Sequence, residues 1–449
     1  MKRESLPSGW KLEVLGKLSS AIQYGYTAKA QPKPVGPRLL RITDIQNDTV
    51  GWEGVPYCKI ENEEKRKYLL APNDILFART GATVGKSYLV RDQVPDSVFA
   101  SYLIRVRLTG EVAPKYVAYF FKSADYWRQI SESQAGIGQP NVNGTKLAQI
   151  EIPVAPANQQ QRIVAEIEKQ FSRLDEAVAT LKRVNANLKR YKASILKAAV
   201  EGRLFDDCRK GVKGNDWVNK PIDVAIDSLD QGWSPQCDNE PSDRPDAWGV
   251  IKTTAVQSMR YLESENKRLP RALRARPKLE LVPGDLLMTR AGPRSRVGVV
   301  CLVKSTRSHL MLCDKVYRIR CKPGVASPAF LELVLNAPNI VDELNQLKTG
   351  ISDSGVNLTQ KRLRELIIPL PSFKEQERVV AEVERRLSVI DELEASVEAN
   401  LTRADRLRQS ILSQAFSGKL VLARSPSSRN VPQDLPVAAE PPAPYGVIQ

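Results

Sequence analysis

Few stretches of this 449-residue chain place reactive side chains at spacings that chemistry could use. Gly81-Ala82-Thr83-Val84-Gly85-Lys86-Ser87 has the look of a phosphate-binding loop. Three residues separate its glycines where that loop requires four between them, so the amides do not converge in the same way. The related segment Gly292 to Val299 has no lysine after Gly298. Asp246, Glu265 and Lys267 have the composition of a magnesium-dependent nuclease site, with carboxylates to hold the ion and a lysine to help activate water. That set is short, its Glu265 and Lys267 fall in the polar stretch Glu263 to Arg268, and it has no counterpart earlier in the chain. His309 is the only histidine, so no catalytic or metal site can use two. Cys58, Cys208, Cys237, Cys301, Cys313 and Cys321 show no paired ligand spacing, which fits reduced thiols in a cytosolic protein. The expectation is a chain that makes and breaks no bonds and holds neither metal nor cofactor.

The elements that would position any site are long and regular. From Asn158 to Leu204 apolar residues recur every seventh position at Ile167, Leu174, Leu181, Leu188 and Ile195. A flanking series runs through Ile163, Phe171, Val178, Val184 and Tyr191. This is the seam of a coiled-coil helix, roughly 65 Å long at about 1.5 Å per residue. Asn158 with Gln161 fits a capping box at its start, and Gly202 a terminating glycine.

The same pattern returns 216 residues later in Lys374 to Leu420, with Val383, Ile390, Val397, Ala404 and Ile411 on the seam and Ser372 with Glu375 as a cap. Arg162, Ala165, Glu166, Asp175, Glu176, Ser194, Gly202 and Leu204 all recur at that offset without a gap, although most lie off the seam. Shared amphipathicity does not require such identities; an internal repeat does.

The segments before the helices repeat as well. Pro72-Asn73-Asp74-Ile75-Leu76-Phe77-Ala78-Arg79-Thr80-Gly81 matches Pro283-Gly284-Asp285-Leu286-Leu287-Met288-Thr289-Arg290-Ala291-Gly292. Trp10 is echoed by Trp217, and Gly136-Ile137 with Val142-Asn143 by Gly350-Ile351 with Val356-Asn357. Short β-like runs, including Arg38 to Thr43, Lys67 to Leu70, Asp74 to Arg79, Lys86 to Val90 and Leu103 to Leu108, alternate with turn residues and helical stretches. The predicted class is α+β. Two similar globular domains, 1–157 and 205–371, are each followed by a long helix, 158–204 and 372–420, and the helices pair antiparallel in a pseudo-two-fold repeat. Residues 421–449 are rich in proline and are expected to form a disordered tail.

The formal net charge is +16. The two blocks and the first long helix carry the excess, whereas residues 375–420 net −2, so the helices are complementary in sign. A basic excess of this size suits a polyanion. The N-terminus lacks a signal-peptide core and no apolar run is long enough to span a membrane, so a soluble cytoplasmic protein is expected.

Block, helix, block, helix, with Ile152-Pro153 and Ile368-Pro369 leads, Gln159-Gln160-Gln161-Arg162-Ile163-Val164 and Glu375-Gln376-Glu377-Arg378-Val379-Val380 helix starts, and Gly202-Arg203-Leu204 and Gly418-Lys419-Leu420 ends, resembles the specificity subunit of type I restriction–modification systems over residues 6–420. The resemblance implies two target-recognition domains, each reading one half of a bipartite, asymmetric site on double-stranded DNA. It also implies helices that set the spacing between half-sites and dock two modification (methyltransferase) subunits. S-adenosylmethionine would belong to those subunits, and ATP and magnesium to the restriction subunits that join them. On the repeated strand–turn, Arg79, Thr80 and Lys86 in the first block and Arg290, Arg294 and Arg296 in the second are the candidate DNA contacts. The competing reading is structural: Arg79 and Arg290 would pair with the nearby Asp74 and Asp285. The functional alternatives are a stand-alone nuclease built on Asp246, Glu265 and Lys267, and a coiled-coil scaffold with no sequence preference.

Overall fold

The computed structural model describes all residues except 1–5, 92, 135–140, 206–216, 243, 245, 351 and 423–449. The chain divides into two compact units, Met1–Thr180 with Asn400–Gln449 and Leu181–Ala399. Each unit contains one lobe and part of both long helices.

In the first lobe a four-stranded antiparallel sheet has the spatial order Ser19–Tyr24, Leu103–Leu108, Ile75–Ala78, Ser87–Leu89. The second lobe repeats it with Ile226–Gln231, Val316–Cys321, Leu286–Thr289 and Val300–Leu302. Even the register shift in the first strand recurs, between Ser19 and Ala21 and between Ile226 and Ser228. Each lobe is closed by a two-stranded ribbon joining its start to the lead of its long helix: Lys11–Val14 with Glu151–Val154, and Val218–Pro221 with Ile367–Leu370. Helices Pro114–Phe120 and Pro328–Asn336 begin with proline, which costs nothing there because the first N–H has no helical acceptor.

A buried carboxylate anchors each central strand. Asp74 is held by Arg105 at 3.7 Å and Arg107 at 2.7 Å, and Asp285 by Arg318 at 3.8 Å and Arg320 at 2.8 Å. Each also accepts the N–H three residues back, from Ala71 or Val282, which tightens the preceding turn. That turn needs the left-handed region at Asn73 (φ 72°) and Gly284 (φ 95°), where asparagine and glycine are the tolerated residues. The competing pairing of Arg79 with Asp74 and Arg290 with Asp285 does not form; the adjacent strand supplies the cations.

The long helices span Ala157–Val200 and Phe373–Phe416. In the first unit Ile163, Ile167 and Phe171 pack with Leu412, Ala415 and Phe416, and Asp175 pairs with Arg408. In the second, Ile195, Leu196 and Ala199 pack with Val379, Val383, Leu387 and Ile390, and Lys192 meets Asp391 at 2.9 Å. In both units the helices run antiparallel, and the ion pairs join the more basic helix to the more acidic one. All ten predicted seam residues are buried or half-buried. The flanking series departs from expectation: Val184 and Tyr191 are exposed, because the seam is one residue wide where neither lobe adds a second layer.

Two local expectations change and two hold. Asn158 lies inside the first helical turn, since the helix starts at Ala157. Ser372 does precede its helix, and its Oγ accepts from the Glu375 N–H at 3.4 Å. Lys67 to Leu70 is not a strand; Asn62–Tyr68 is a helix whose acidic residues come first and basic residues last, as the helix dipole favours. Gly202 and Gly418 terminate the long helices at positive φ.

Candidate nucleic-acid interface

The glycine loop cannot cradle a phosphate, because the turn consumes its own amides. Val84 N–H donates to Gly81 O, Gly85 N–H to Ala78 O, and Lys86 N–H to Thr83 O. The segment is a tight connection between two neighbouring strands. In the nuclease-like set, Asp246 pairs with Arg244 at 3.4 Å, whereas Glu265 accepts from Thr254 Oγ1 at 2.5 Å and lies 3.6 Å from Lys252. Each carboxylate answers to its own partner, and Pro245 beside the set lies outside the described residues. His309 occupies a left-handed turn with its ring 4.6 Å from Trp248, a packing role. The five described cysteines are free, and burial pushes three thiols far up, Cys313 to about 11 and Cys301 and Cys321 to about 12, which suppresses thiolate chemistry. Cys208 lies outside the described residues.

What the lobes do build is a repeated edge. Arg79 leaves its strand with its N–H on Tyr102 O and its carbonyl receiving Val142 N–H, both at 3.0 Å. Arg290 does the same with Lys315 O and Leu358 N–H at 2.9 and 2.8 Å. Both backbones are thereby locked between two loops. Each guanidinium lies over a tyrosine ring, Arg79 over Tyr24 at 5.0 Å and Arg290 over Tyr317 at 5.7 Å, which holds the cation without neutralising it. The tyrosines come from opposite strands of one cross-strand position: Tyr24 pairs with Ile104, and Gln231 with Tyr317. Each hydroxyl then fastens the loop that leads to the next short helix, Tyr24 by accepting Gly144 N–H and Tyr317 by donating to Leu358 O. Neither tyrosine stands out in the sequence, since their equivalence is visible only once the strands are paired.

The candidate contacts differ in freedom. Thr80 bridges to Asn141 across the edge, and Lys86 is exposed. Arg79 Nε is buried with no acceptor among the described residues. Arg290 Nε donates to Asp314 O at 2.6 Å. Arg294 is half-buried and paired with Asp353 at 2.8 Å. Arg296 turns inward onto Gln257 Oε1, Thr253 O and Val256 O at 2.8 to 3.1 Å, so its donors are spent on the lobe itself. Gly136 and Ile137 lie outside the described residues.

Two lobes built on one scaffold each offer a cationic, loop-built edge, an arrangement suited to recognition. Comparison with known proteins agrees. Residues 41–190 match the family model described as type I restriction modification DNA specificity domain. The EcoKI specificity subunit of Escherichia coli K12 is 27% identical over 443 residues, covering 94% of this chain and 91% of that protein. The EcoEI specificity subunit of Escherichia coli is 42% identical over 186 residues, 41% of this chain but 31% of that protein. A chain from a structural study of assembly and conformational transition of the type I system superposes with a TM-score of 0.68 at 19% identity, over 92% of this chain and 99% of that one. The specificity subunit of Thermoanaerobacter tengcongensis gives 0.51 at 18%, over 92% and 98%. Along nearly its whole length this chain is similar to the specificity subunits of type I restriction–modification systems.

Proposed function

We propose that each lobe reads one half of a bipartite, asymmetric target on double-stranded DNA, and that the paired helices fix the number of base pairs between the halves. The observation that carries this reading is the repeated edge at Arg79 and Arg290. Its backbone hydrogen bonds are the same in the two lobes, while the surrounding loop residues differ, as two unlike half-sites on one scaffold require. Cations held over aromatic rings suit phosphate and base-edge acceptors. Arg79, Thr80, Lys86, Arg290 and Arg294 are the contacts proposed from this geometry; Arg296 supports the edge from behind. The exposed apolar residues Val184, Tyr191, Val389 and Leu393 on the long helices of the second unit suit docking of modification subunits, with restriction subunits joining them.

Selection from a randomised duplex library by the full chain tests the reading. The expected result is two short defined tracts separated by a fixed run of unspecified base pairs. Equal retention of all sequences at fixed salt would leave only a non-specific scaffold.

A further inference from the structure

At the turn that feeds the carbonyl partner of each edge arginine, the two lobes keep the backbone and change the side chain. In the first lobe the turn Ala100 to Leu103 closes with Leu103 N–H on Ala100 O at 2.8 Å, and Tyr102 O accepts Arg79 N–H. In the second, Val316 N–H reaches Cys313 O at 3.2 Å, and Lys315 O accepts Arg290 N–H. Tyr102 and Lys315 are thus the same position of the repeat. Both side chains are exposed, and Tyr102 is 65% exposed, more than the other exposed large hydrophobic residues among those described.

A single exposed aromatic ring is ordinarily unremarkable. This one stands on a backbone fixed to Arg79, whose guanidinium is itself stacked on Tyr24 beside the loop at Asn141 to Gly144. The ring therefore projects from the edge where the cations gather, on a rigid turn that loses little conformational freedom on binding. An aromatic face there can meet a thymine methyl or an unstacked base; an ammonium at the same place can meet a phosphate or the acceptors of guanine.

We propose that Tyr102 is a specificity-determining contact of the first lobe, touching a base of its half-site, and that Lys315 is its counterpart in the second. This rests on the reading of the lobes as half-site readers. The test is selection of a randomised duplex library by the full chain, comparing wild type with Tyr102→Ala, Tyr102→Lys and Lys315→Ala. Tyr102→Ala should reduce discrimination at one position of one half-site by about tenfold, while the other half-site, read by the second lobe, remains defined and reports that the chain is folded. Tyr102→Lys should change the preferred base there or raise the magnitude of the salt slope by about one. Lys315→Ala should act on the opposite half-site. A bipartite preference in the wild type that survives Tyr102→Ala and Tyr102→Lys unchanged overturns the assignment alone. Absence of any base preference in the wild type overturns the half-site reading, and this assignment with it.

Discussion

Gln160 and Gln376 sit one repeat apart and make matching hydrogen bonds in the two lobes. Gln160 Oε1 accepts Ala113 N–H and its Nε2 donates to Ala155 O, both at 2.8 Å. Gln376 Oε1 accepts Ser327 N–H at 2.8 Å and its Nε2 donates to Pro371 O at 3.0 Å. Ala113 and Ser327 precede the helices Pro114–Phe120 and Pro328–Asn336. One buried amide therefore ties the start of each long helix to the start of a helix of its own lobe. It supplies partners for backbone groups that a helix end leaves open.

Removing such an amide strands two buried backbone groups at once. At about 1–3 kcal/mol for each, Gln160→Ala should lower the stability of its unit by about 2–6 kcal/mol. Gln160→Glu keeps the acceptor but sets a carboxylate oxygen against Ala155 O in a buried site, so its cost should match or exceed that of alanine near neutral pH and fall on acidification. Urea unfolding of both variants measures the difference, and an unchanged midpoint for Gln160→Ala would count against the amide's role.

The buried carboxylates separate two kinds of ion pair in one cluster. Arg318 is 4% exposed whereas the Arg320 side chain is 42% exposed, and both reach Asp285. Asp285→Ala leaves the Val282 N–H without its acceptor and the buried Arg318 with Asp230 as its one carboxylate, and should cost about 2–3 kcal/mol. Arg320→Ala removes only a partly solvated pair and should cost about 1 kcal/mol or less. Equal losses in thermal unfolding would show that burial is not what sets the ranking.

Glu332 gives the second lobe a pH dependence of defined sign. Burial raises its carboxyl above the ordinary 4.5, against the opposing pull of the Leu302 N–H and Lys304. The folded state therefore holds this proton more tightly than the unfolded state. Its contribution favours folding below the unfolded value and declines as pH rises through the folded one. Glu332→Gln still offers an oxygen to Leu302 N–H, at 2.7 Å in the native chain, and carries no charge to bury. The variant should exceed the native chain in stability near neutral pH, with the gap closing towards about pH 4. A gap that widened on acidification would reverse the assignment.

How much of this was readable from the chain depends on the range of the forces involved. The seam was legible because heptad spacing is a local consequence of helix geometry, and the repeat because Arg162, Asp175 and Gly202 recur in register. The strands Ile75–Ala78 and Leu103–Leu108 announced themselves as apolar runs. Lys67 to Leu70 misled, because its β-like end is the last turn of a helix begun by Asn62-Glu63-Glu64. The site was harder still. Arg79 stands out in the sequence as a candidate, yet its neighbours Tyr24 and Tyr102 are 55 and 23 residues away in sequence and meet it only through strand pairing. Arg296 looked as available as Arg294 until the turn at Thr253 to Gln257 was seen to absorb its donors.

The outer faces of the long helices predict a separation of stability from assembly. Tyr191 and Val389 are exposed by 55% and 53%. Tyr191→Asp and Val389→Asp should shift the stability of the chain by about 0.5 kcal/mol or less, and should weaken association with modification subunits if those faces dock them. Sedimentation of the mixed subunits measures the second effect, and full-strength association by the double variant would place the docking surface elsewhere.

The spacing role of the helices can be tested by lengthening both together. Seven residues inserted beside Lys192 in one helix and beside Asp391 in the other preserve the seam and add about 10 Å of helix, or about three base pairs at ~3.4 Å each. An inserted heptad misses two full helical turns by only ~20°, whereas three base pairs rotate the duplex by roughly 100° at about 10.5 per turn. Distance and rotation therefore do not match. The library selected by this variant should carry a spacer longer by about three base pairs, at lower affinity, because the duplex or the helices must twist to present both half-sites. An unchanged spacer would mean that the lobes find their half-sites independently of the helices, and would remove the ruler while leaving base recognition by each lobe intact.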